Sequence, residues 1–318
     1  PHKYKTKYTL DYAGAQFFYD IIADKAQGRG TFLFSDILGN HKIGFQTSLV
    51  IDFKQSDILF YYSNLENRVN WETSFYNLSY PGQLYIDMID QEEFYNLIRD
   101  VGFNFNFYNP FSKFSRIEGG IKHYYLEEKE ERKNIITNYE YSIFKESFNI
   151  SSYYLKYVWD NTRQLIGNRT YIEYLVAPNI NNNDFIFDKI SVDSRNYIRL
   201  SYKSKVMLAS RIFIGASRGR DARVFGIGGS GHNNTFFHSD NALINPEYRA
   251  NIMTGTEYKY LSMNNFQYPV RGYNVAQKYG KNTLILNMEL RLPLLIYYFP
   301  TIKYLGHIFG VIFVDAGV

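Results

Sequence analysis

The sequence predicts an all-β chain that forms an up-and-down antiparallel transmembrane β-barrel. Three observations carry this prediction. Candidate strands alternate apolar and polar residues with a period of two, short and long connections follow one another along the chain, and aromatic residues make up 19% of its 318 residues. Aromatic residues are enriched in strands. The regular change of loop length favours a barrel over a soluble sandwich, which does not require it.

The first observation, the period-two alternation, marks thirteen segments of the chain as strands. It is clearest between Lys42 and Phe53, and again where Ile212 and Ile214 alternate with Arg211 and Gly215. The predicted strands are 5–12, 30–38, 41–53, 57–65, 70–80, 93–108, 114–126, 150–160, 168–177, 194–203, 205–216, 282–296 and 305–318. A helix is the competing prediction at 91–99 alone, where the apolar residues also suit a period of 3.6.

The second observation is that short and long connections alternate along the chain, with the exception of the gap after Phe53, which is only three residues long. Short gaps fall at 39–40, 66–69, 109–113, 161–167, 204 and 297–304, and long gaps at 13–29, 81–92, 127–149, 178–193 and 217–281. Outer-membrane barrels have tight periplasmic turns and longer outer loops, so this pattern is typical of them. The charge run 127–133 and the Asn-rich run 179–184 are predicted to be solvated loop tips.

The last part of the chain combines a loop tip with two strands that carry acidic residues. The loop tip reads Val270, Arg271, Gly272 and Tyr273. In the strand after it, Glu289 and Asn287 alternate with Leu284, Leu286, Met288 and Leu290, and in the final strand Asp315 lies opposite Ile312 and Val314. Glu289 and Asp315 are therefore predicted to face one interior, away from the apolar sides.

These residues resemble a known family. The run VRGY at 270–273, the strand NMELRLPLL at 287–295 and the strand GVIFVDAG at 310–317 look like the C-terminal barrel of the BamA-like surface-antigen superfamily of bacterial outer-membrane proteins. The resemblance implies a 16-stranded type of barrel. It also implies that the loop folds into the lumen and that Arg271 pairs there with Glu289 and Asp315, a contact set that we call the Arg271 lock.

Two further stretches refine the resemblance. Leu33–Asn40 and Pro110–Glu118 are similar to barrels attached to TolB-like propeller proteins of Bacteroidetes-type bacteria. Because about thirteen strands cannot close a 16-stranded barrel, we expect residues 1–318 to be a single barrel domain truncated at its C-terminus, without its N-terminal periplasmic region. The apolar stretch of a signal peptide is missing too, so we expect that Pro1 is not the native N-terminus.

The resemblance implies a place and a role. The place is the bacterial outer membrane, with outer-membrane lipid and possible outer-membrane or periplasmic proteins as partners. The role is insertion or translocation of proteins at that membrane, without an enzymatic step and without a cofactor. Two alternatives stay open: a structural barrel that anchors a larger complex, for example a periplasmic propeller, and a passive porin-like channel.

Other function classes have weak support in the sequence. The net charge of +4 is too small, and the basic residues too scattered, for a nucleic-acid partner. The chain has no Cys, so no thiolate metal site is available. The glycine run 226–231 lacks the helix that a dinucleotide site needs, and it is predicted to be a turn. Ser230, His232, His238 and Asp240 lack the spacing of a hydrolase or metal site.

Overall fold

A computed structural model gives the fold of the chain. It describes residues 6–20, 25–50, 56–81, 85–87, 90–137, 139–163, 166–180, 182–201, 206–228, 267–268, 270–273, 278–293 and 309–318. Within these ranges every regular element is a β-strand. No helix of the described ranges is long and apolar enough to cross a membrane.

Seventeen strands are numbered in chain order among the described residues. They are β1 Tyr8–Asp20, β2 Lys25–Asp36, β3 His41–Val50, β4 Asp57–Asn64, β5 Asn70–Pro81, β6 Tyr85–Asp87, β7 Glu92–Pro110, β8 Ser115–Asn134, β9 Glu140–Asp160, β10 Gly167–Ala177, β11 Phe187–Arg199, β12 Met207–Arg218, β13 Phe225–Ile227, β14 Gln267–Tyr268, β15 Lys278–Gly280, β16 Asn282–Pro293 and β17 Phe309–Gly317.

Thirteen of the described strands form one path in which neighbours in the sheet are neighbours in the chain. The order is β1-β2-β3-β4-β5-β7-β8-β9-β10-β11-β12-β16-β17, and the short β6 pairs with β7. Along this path, the registers from β1 to β7 are antiparallel, and so are those of the pairs β11–β12, β12–β16 and β16–β17. The predicted up-and-down order is confirmed, and all thirteen predicted strands have a counterpart. The helix considered for 91–99 is wrong, because these residues pair with β5 and β6 as part of β7.

Several predicted loops are in fact strand. Most of 13–29 belongs to β1 and β2, most of 127–149 to β8 and β9, and the second half of 178–193 to β11. The charge run 127–133 is therefore not a loop tip. Its charges pair within the hairpin, as in the 2.5 Å ion pair between Lys145 Nζ and Glu130 Oε2. Opposite charges on adjacent strands stabilise a sheet as apolar pairs do, and the apolar pattern alone could not show this.

The described fold divides into two compact units, each considered by itself. The first comprises Pro1–Pro110, Ile117–Leu155 and Ala177–Phe185, and the second Phe111–Arg116, Lys156–Val176 and Ile186–Val318. In the first unit, tyrosine rings lie over glycines on the adjacent strand. A Cβ on Gly44 would lie 1.8 Å from the Tyr61 ring, and one on Gly102 would lie 2.4 Å from that of Tyr76. These glycines leave room for the rings on one face of the sheet.

In the second unit, the two faces of β12 and β16 differ sharply. Leu286 and Ile212 are 42% and 43% exposed, whereas Ile285 and Phe213 are 0% and 3% exposed. The buried face is covered by the connection between β12 and β16, whose β13, β14 and β15 form a small sheet in the order β14-β13-β15. Phe225, Ile227 and Val270 from this connection pack with Phe213 and Ile285 in one apolar cluster. Phe225, Ile227 and Val270 thus pack on the inner face, as the family resemblance implies for the loop that carries the VRGY run.

Candidate functional site: the Arg271 lock

The strand register places the two acidic residues of the lock on one face of the wall. Asp315 on β17 lies opposite Asn287 on β16, and Glu289 lies opposite Phe313. Because side chains alternate along a strand, Asn287 and Glu289 point to the same side, and so do Phe313 and Asp315. That side is the one against which the β12–β16 connection packs, since Ile285, two residues before Asn287, is buried in its cluster.

Arg271 reaches both carboxylates from the loop tip. Its Nε donates to Asp315 Oδ2 at 2.6 Å, its Nη2 to Asp315 Oδ1 at 2.8 Å, and its Nη1 to Glu289 Oε1 at 2.7 Å. The backbone N–H of Arg271 also donates to Asp315 Oδ2, at 3.0 Å. A guanidinium presents its N–H groups as a planar fork that matches a carboxylate, so the contact with Asp315 is bidentate and that with Glu289 uses the remaining arm. The structure therefore brings together the three residues that the sequence had paired.

The three groups of the lock differ in exposure. The Asp315 side chain is only 2% exposed, whereas those of Arg271 and Glu289 are about a quarter exposed. The hydrogen bond to Asp315 raises the pKa of Arg271 above its ordinary value although partial burial opposes this, so the guanidinium stays protonated. The guanidinium carbon also lies 3.8 Å from the centroid of the Phe313 ring, a cation–π contact.

The neighbours of Arg271 in the VRGY run have distinct roles. Val270 is buried in the apolar cluster and fixes the loop tip against the wall. Gly272 has a φ of 91°, a left-handed conformation that glycine adopts without strain, so the chain turns immediately after the arginine. Tyr273 is 45% exposed and contacts Lys278, whose Nζ lies 5.7 Å from the ring centroid. Val270 and Gly272 therefore position Arg271, and Tyr273 contacts neither acidic residue in any described hydrogen bond.

Sequence reasoning missed the residues that let the loop approach the wall. A Cβ on Gly215 would lie 2.5 Å from the Phe225 ring, and one on Gly317 would lie 3.1 Å from both Ile227 and Val270. Glycine within a strand often marks the close approach of another segment. Gly215 and Gly317 are visible in the sequence as strand glycines, but nothing there indicates which residues pack on them.

A second charged cluster lies on the same wall and was not predicted. Asp193 on β11 accepts from Arg211 Nε at 3.0 Å and Arg211 Nη2 at 2.9 Å, and from Arg195 Nη2 at 2.9 Å. Arg195 and Arg211 are register partners, and Arg211 is also the register partner of Asn287. Because Asn287 in turn lies opposite Asp315, one row of polar side chains runs from β11 to the Arg271 lock.

The other motifs considered in the sequence fare differently. Gly226 belongs to β13, so the start of the glycine run 226–231 is a short strand and not the predicted turn. Ser230, His232, His238 and Asp240 lie outside the described residues. Across the described ranges, no group of three or more His, Cys, Asp or Glu residues could hold a metal ion.

The fold and the lock together define a class of protein: an antiparallel β-barrel in which a long connection is tied to the inner wall by an arginine and two carboxylates. No protein-family model matches the chain, and no curated protein matches it. Among solved structures, BamA from Haemophilus ducreyi lacking POTRA domains 1–3 is similar, with a TM-score of 0.55 and 12% sequence identity. The match covers 99% of this chain and 58% of that one.

At this level of identity the likeness shows the fold alone, an up-and-down antiparallel β-barrel similar to that of BamA. The chain spans 58% of the length of the BamA chain that it matches. The propeller-linked subtype, the Bacteroidetes-type source and the extent of the complete protein stay predictions.

Proposed function

We propose that this chain is the barrel of a bacterial outer-membrane protein that inserts or translocates other proteins at that membrane. The likeness to BamA supports the choice of function class. The observation that carries the proposal is the Arg271 lock, in which three side-chain hydrogen bonds join the β12–β16 connection to β16 and β17. This is the arrangement that the sequence resemblance implies for a BamA-like barrel.

The lock gives the barrel two properties that such a role needs. It holds a folded connection against the inner wall, which restricts free passage through the lumen while the protein is idle. It also joins two adjacent strands through one guanidinium, so their alignment resists sliding while strands elsewhere in the sheet open or pair. In this proposal a substrate strand pairs through its backbone with a labile edge of the barrel, and no covalent step takes place.

The apolar outward face is suited to contact with lipid. Leu284, Leu286, Met288, Ile212 and Ile214 are all at least 42% exposed, whereas the side chains between them face the covered wall. Apolar residues that alternate outward along paired strands are the pattern of a lipid-facing barrel wall. The proposed partners are accordingly outer-membrane lipid and, transiently, unfolded outer-membrane or periplasmic proteins.

Reconstitution of the complete protein tests the proposed function. The full-length protein in liposomes is mixed with a urea-unfolded eight-stranded outer-membrane barrel, and insertion is followed by the change in gel mobility that folded barrels show before heating. We expect insertion to be faster than in liposomes that hold an unrelated porin at equal protein density. Equal rates would contradict the proposal. Equal rates with steady conductance would instead favour a channel, and equal rates with a stoichiometric bound partner would favour an anchor.

A further inference from the structure

Strands β7, β8 and β9 are longer than a membrane requires. They contain 19, 20 and 21 residues, whereas about 9–11 residues of a tilted strand cross the hydrocarbon core. At about 3.3 Å per residue, β8 and β9 extend by roughly 30 Å beyond the length needed to span it. The β8–β9 turn falls within the gap 127–149, one of the long connections predicted to be outside. The outer half of this hairpin therefore stands in water.

Ion pairs hold the outer half of the hairpin in one shape. Arg132 bridges Glu92 on β7, at 3.0 Å, and Glu130 on its own strand, and Lys145 on β9 contacts Glu130. The Tyr141 hydroxyl donates to Glu92 at 3.0 Å. Charges on all three strands thus meet around two carboxylates, and the outer hairpin is a preorganised sheet.

The pairing of β9 on its far side stops part of the way along the strand. The side-chain amide of Asn183 accepts from the Ser151 N–H at 2.5 Å and donates to the Ser151 carbonyl at 2.8 Å. It therefore makes the two hydrogen bonds that a backbone residue of a neighbouring strand would make. Asp184 donates its N–H to the Asn149 carbonyl at 3.0 Å, and its carboxylate accepts from the Asn149 N–H at 2.6 Å. Among the described residues, no strand continues this pairing from Asn149 towards Glu140, because the only sheet neighbours of β9 are β8 and β10, and β10 ends at Ala177.

The outer edge of β9, residues 140–145, therefore presents backbone groups and apolar side chains together. Ile143 is 39% exposed and Phe144 57% exposed, and Tyr139 at the adjoining turn is 67% exposed. Glu140 adds an exposed negative charge at the tip. An edge with alternate N–H and C=O groups and flanking apolar residues is a template for an added strand. Proteins that avoid such addition often place a lysine or proline along the edge. The lysine of this edge, Lys145, is held by Glu130 on β8 at 2.5 Å, and the centre of the edge is Ile143-Phe144.

We propose that the outer edge of β9 binds an extended segment of a partner protein at the cell surface, by strand addition. The chemistry of the edge selects the segment. Backbone groups recognise any extended chain, Ile143 and Phe144 favour β-branched or aromatic residues opposite them, and Glu140 favours a basic residue at the end that meets the tip. Lys145, the basic residue within 140–145, already pairs with Glu130 at 2.5 Å, so the edge of a second copy supplies no unpaired basic residue to Glu140 and a different, basic partner fits better.

A peptide probe tests this site on the full-length protein in nanodiscs. The probe is fluorescein-labelled Lys-Thr-Val-Thr-Val-Thr-Val-Lys, and its binding is read by fluorescence anisotropy. Two further peptides carry N-methyl groups on either the odd or the even residues. An added strand uses only one of these two sets of N–H groups, so we expect one methylated peptide to bind at least about tenfold more weakly and the other to bind unchanged. Equal binding by both methylated peptides would overturn strand addition.

Matched variants localise the binding. Glu140→Lys should weaken the lysine-ended probe about threefold and strengthen a glutamate-ended one, whereas Glu66→Lys, the same charge change in the β4–β5 turn, should do neither. Because residues 1–318 contain no Cys, a single cysteine at Ile143 should react with a probe that carries a pyridyl disulfide, releasing pyridine-2-thione, in preference to a single cysteine at the exposed Ile37. Equal disulfide formation at the two positions would contradict the site. Probe binding only after deletion of 229–266 would show that the chain fills its own edge, and it would overturn the partner proposal.

Discussion

Replacing Arg271 by alanine tests the lock most sharply. The change removes the three hydrogen bonds from its side chain to Asp315 and Glu289 and leaves the bond from its backbone N–H in place. The two carboxylates lose different amounts of stabilisation when the guanidinium is removed. Asp315 is almost completely buried, whereas Glu289 also accepts from Arg291 Nη2 at 2.8 Å and remains partly in contact with solvent. The larger penalty should therefore arise at Asp315.

The magnitude follows from these contacts. Removing one partner of a fully buried ion pair costs about 3–5 kcal/mol, and the partial exposure and remaining donors reduce this to about 2–4 kcal/mol for Arg271→Ala. Lysine at this position keeps the charge but loses the fork, so Arg271→Lys should recover roughly half of the lost stability. Loss of the lock should also expose the β12–β16 connection to protease, because Val270 and the backbone N–H bond to Asp315 then hold its tip without the guanidinium.

The assay is a pair of double-mutant cycles on the complete protein. The free energy of unfolding is measured from urea titrations by heat-modified gel mobility, for Arg271→Ala combined with Asp315→Asn and with Glu289→Gln. We expect a coupling of about 2 kcal/mol with Asp315 and about 1 kcal/mol with Glu289. Additive effects, within about 0.5 kcal/mol, would refute the lock. A larger coupling at Glu289 than at Asp315 would refute the burial argument.

Four further predictions concern other parts of the chain. Leu286→Arg and Ile212→Arg should each lower the free energy of unfolding by about 2–4 kcal/mol, because they place a charge in lipid. Asn287→Arg should lower it much less. An equal loss of stability in the three variants would mean that the faces are misassigned. Gly215→Ala should lower the free energy of unfolding by about 1–3 kcal/mol and increase protease cleavage of the β12–β16 connection, because its Cβ would contact the Phe225 ring. Gly30→Ala should leave cleavage unchanged, because the nearest atom to its Cβ would be 3.4 Å away. In the outer hairpin, burial opposes ionisation of Glu130, but hydrogen bonds from Lys145 and Arg132 outweigh it and lower its pKa. A lowered folded pKa stabilises the hairpin above the unfolded pKa of about 4.3, and this stability is lost as the pH falls through the folded pKa. The amide protection factors of 125–146, referred to intrinsic exchange rates, should therefore decrease below about pH 4, and they should decrease less in Glu130→Gln. The complete protein should fractionate with outer membranes and resist carbonate extraction, and its recovery as a detergent-free monomer would contradict the barrel.

Much of the wall could be predicted because lipid imposes a simple rule on it. Leu286 and Asn287 differ in exposure as their alternation indicates, since one face must be apolar wherever a strand contacts lipid. The Arg271 contacts could be anticipated from the family resemblance together with the positions of Glu289 and Asp315 on their strands. Both inferences depend on local pattern.

The remaining features depend on contacts distant in sequence. The strand character of 127–133 rests on charge pairs with Glu92 and Lys145, and outside lipid no apolar alternation is needed to reveal it. Phe225 packs on Gly215, and Asp193 accepts a hydrogen bond from Arg211 on the next strand. Both contacts form only because the fold brings these distant residues together. The end of β9 pairing at Asn149 likewise depends on Asn183 and Asp184, in a run whose composition indicated only a solvated loop.

The central claim is that β16 separates lipid from an inner wall on which Arg271 is held. Site-directed spin labelling tests it directly, because residues 1–318 contain no cysteine and any cysteine elsewhere in the full-length protein can be replaced by serine first. Single cysteines at 284, 285, 286, 287 and 288 are labelled in the full-length protein in liposomes, and collisions with oxygen and with a water-soluble nickel complex are measured. The account predicts high oxygen accessibility at 284, 286 and 288 and low accessibility at 285 and 287, with nickel accessibility at 287 rising when Arg271 is replaced by alanine. Uniform accessibility along the strand, or nickel accessibility greatest at 286, would contradict it.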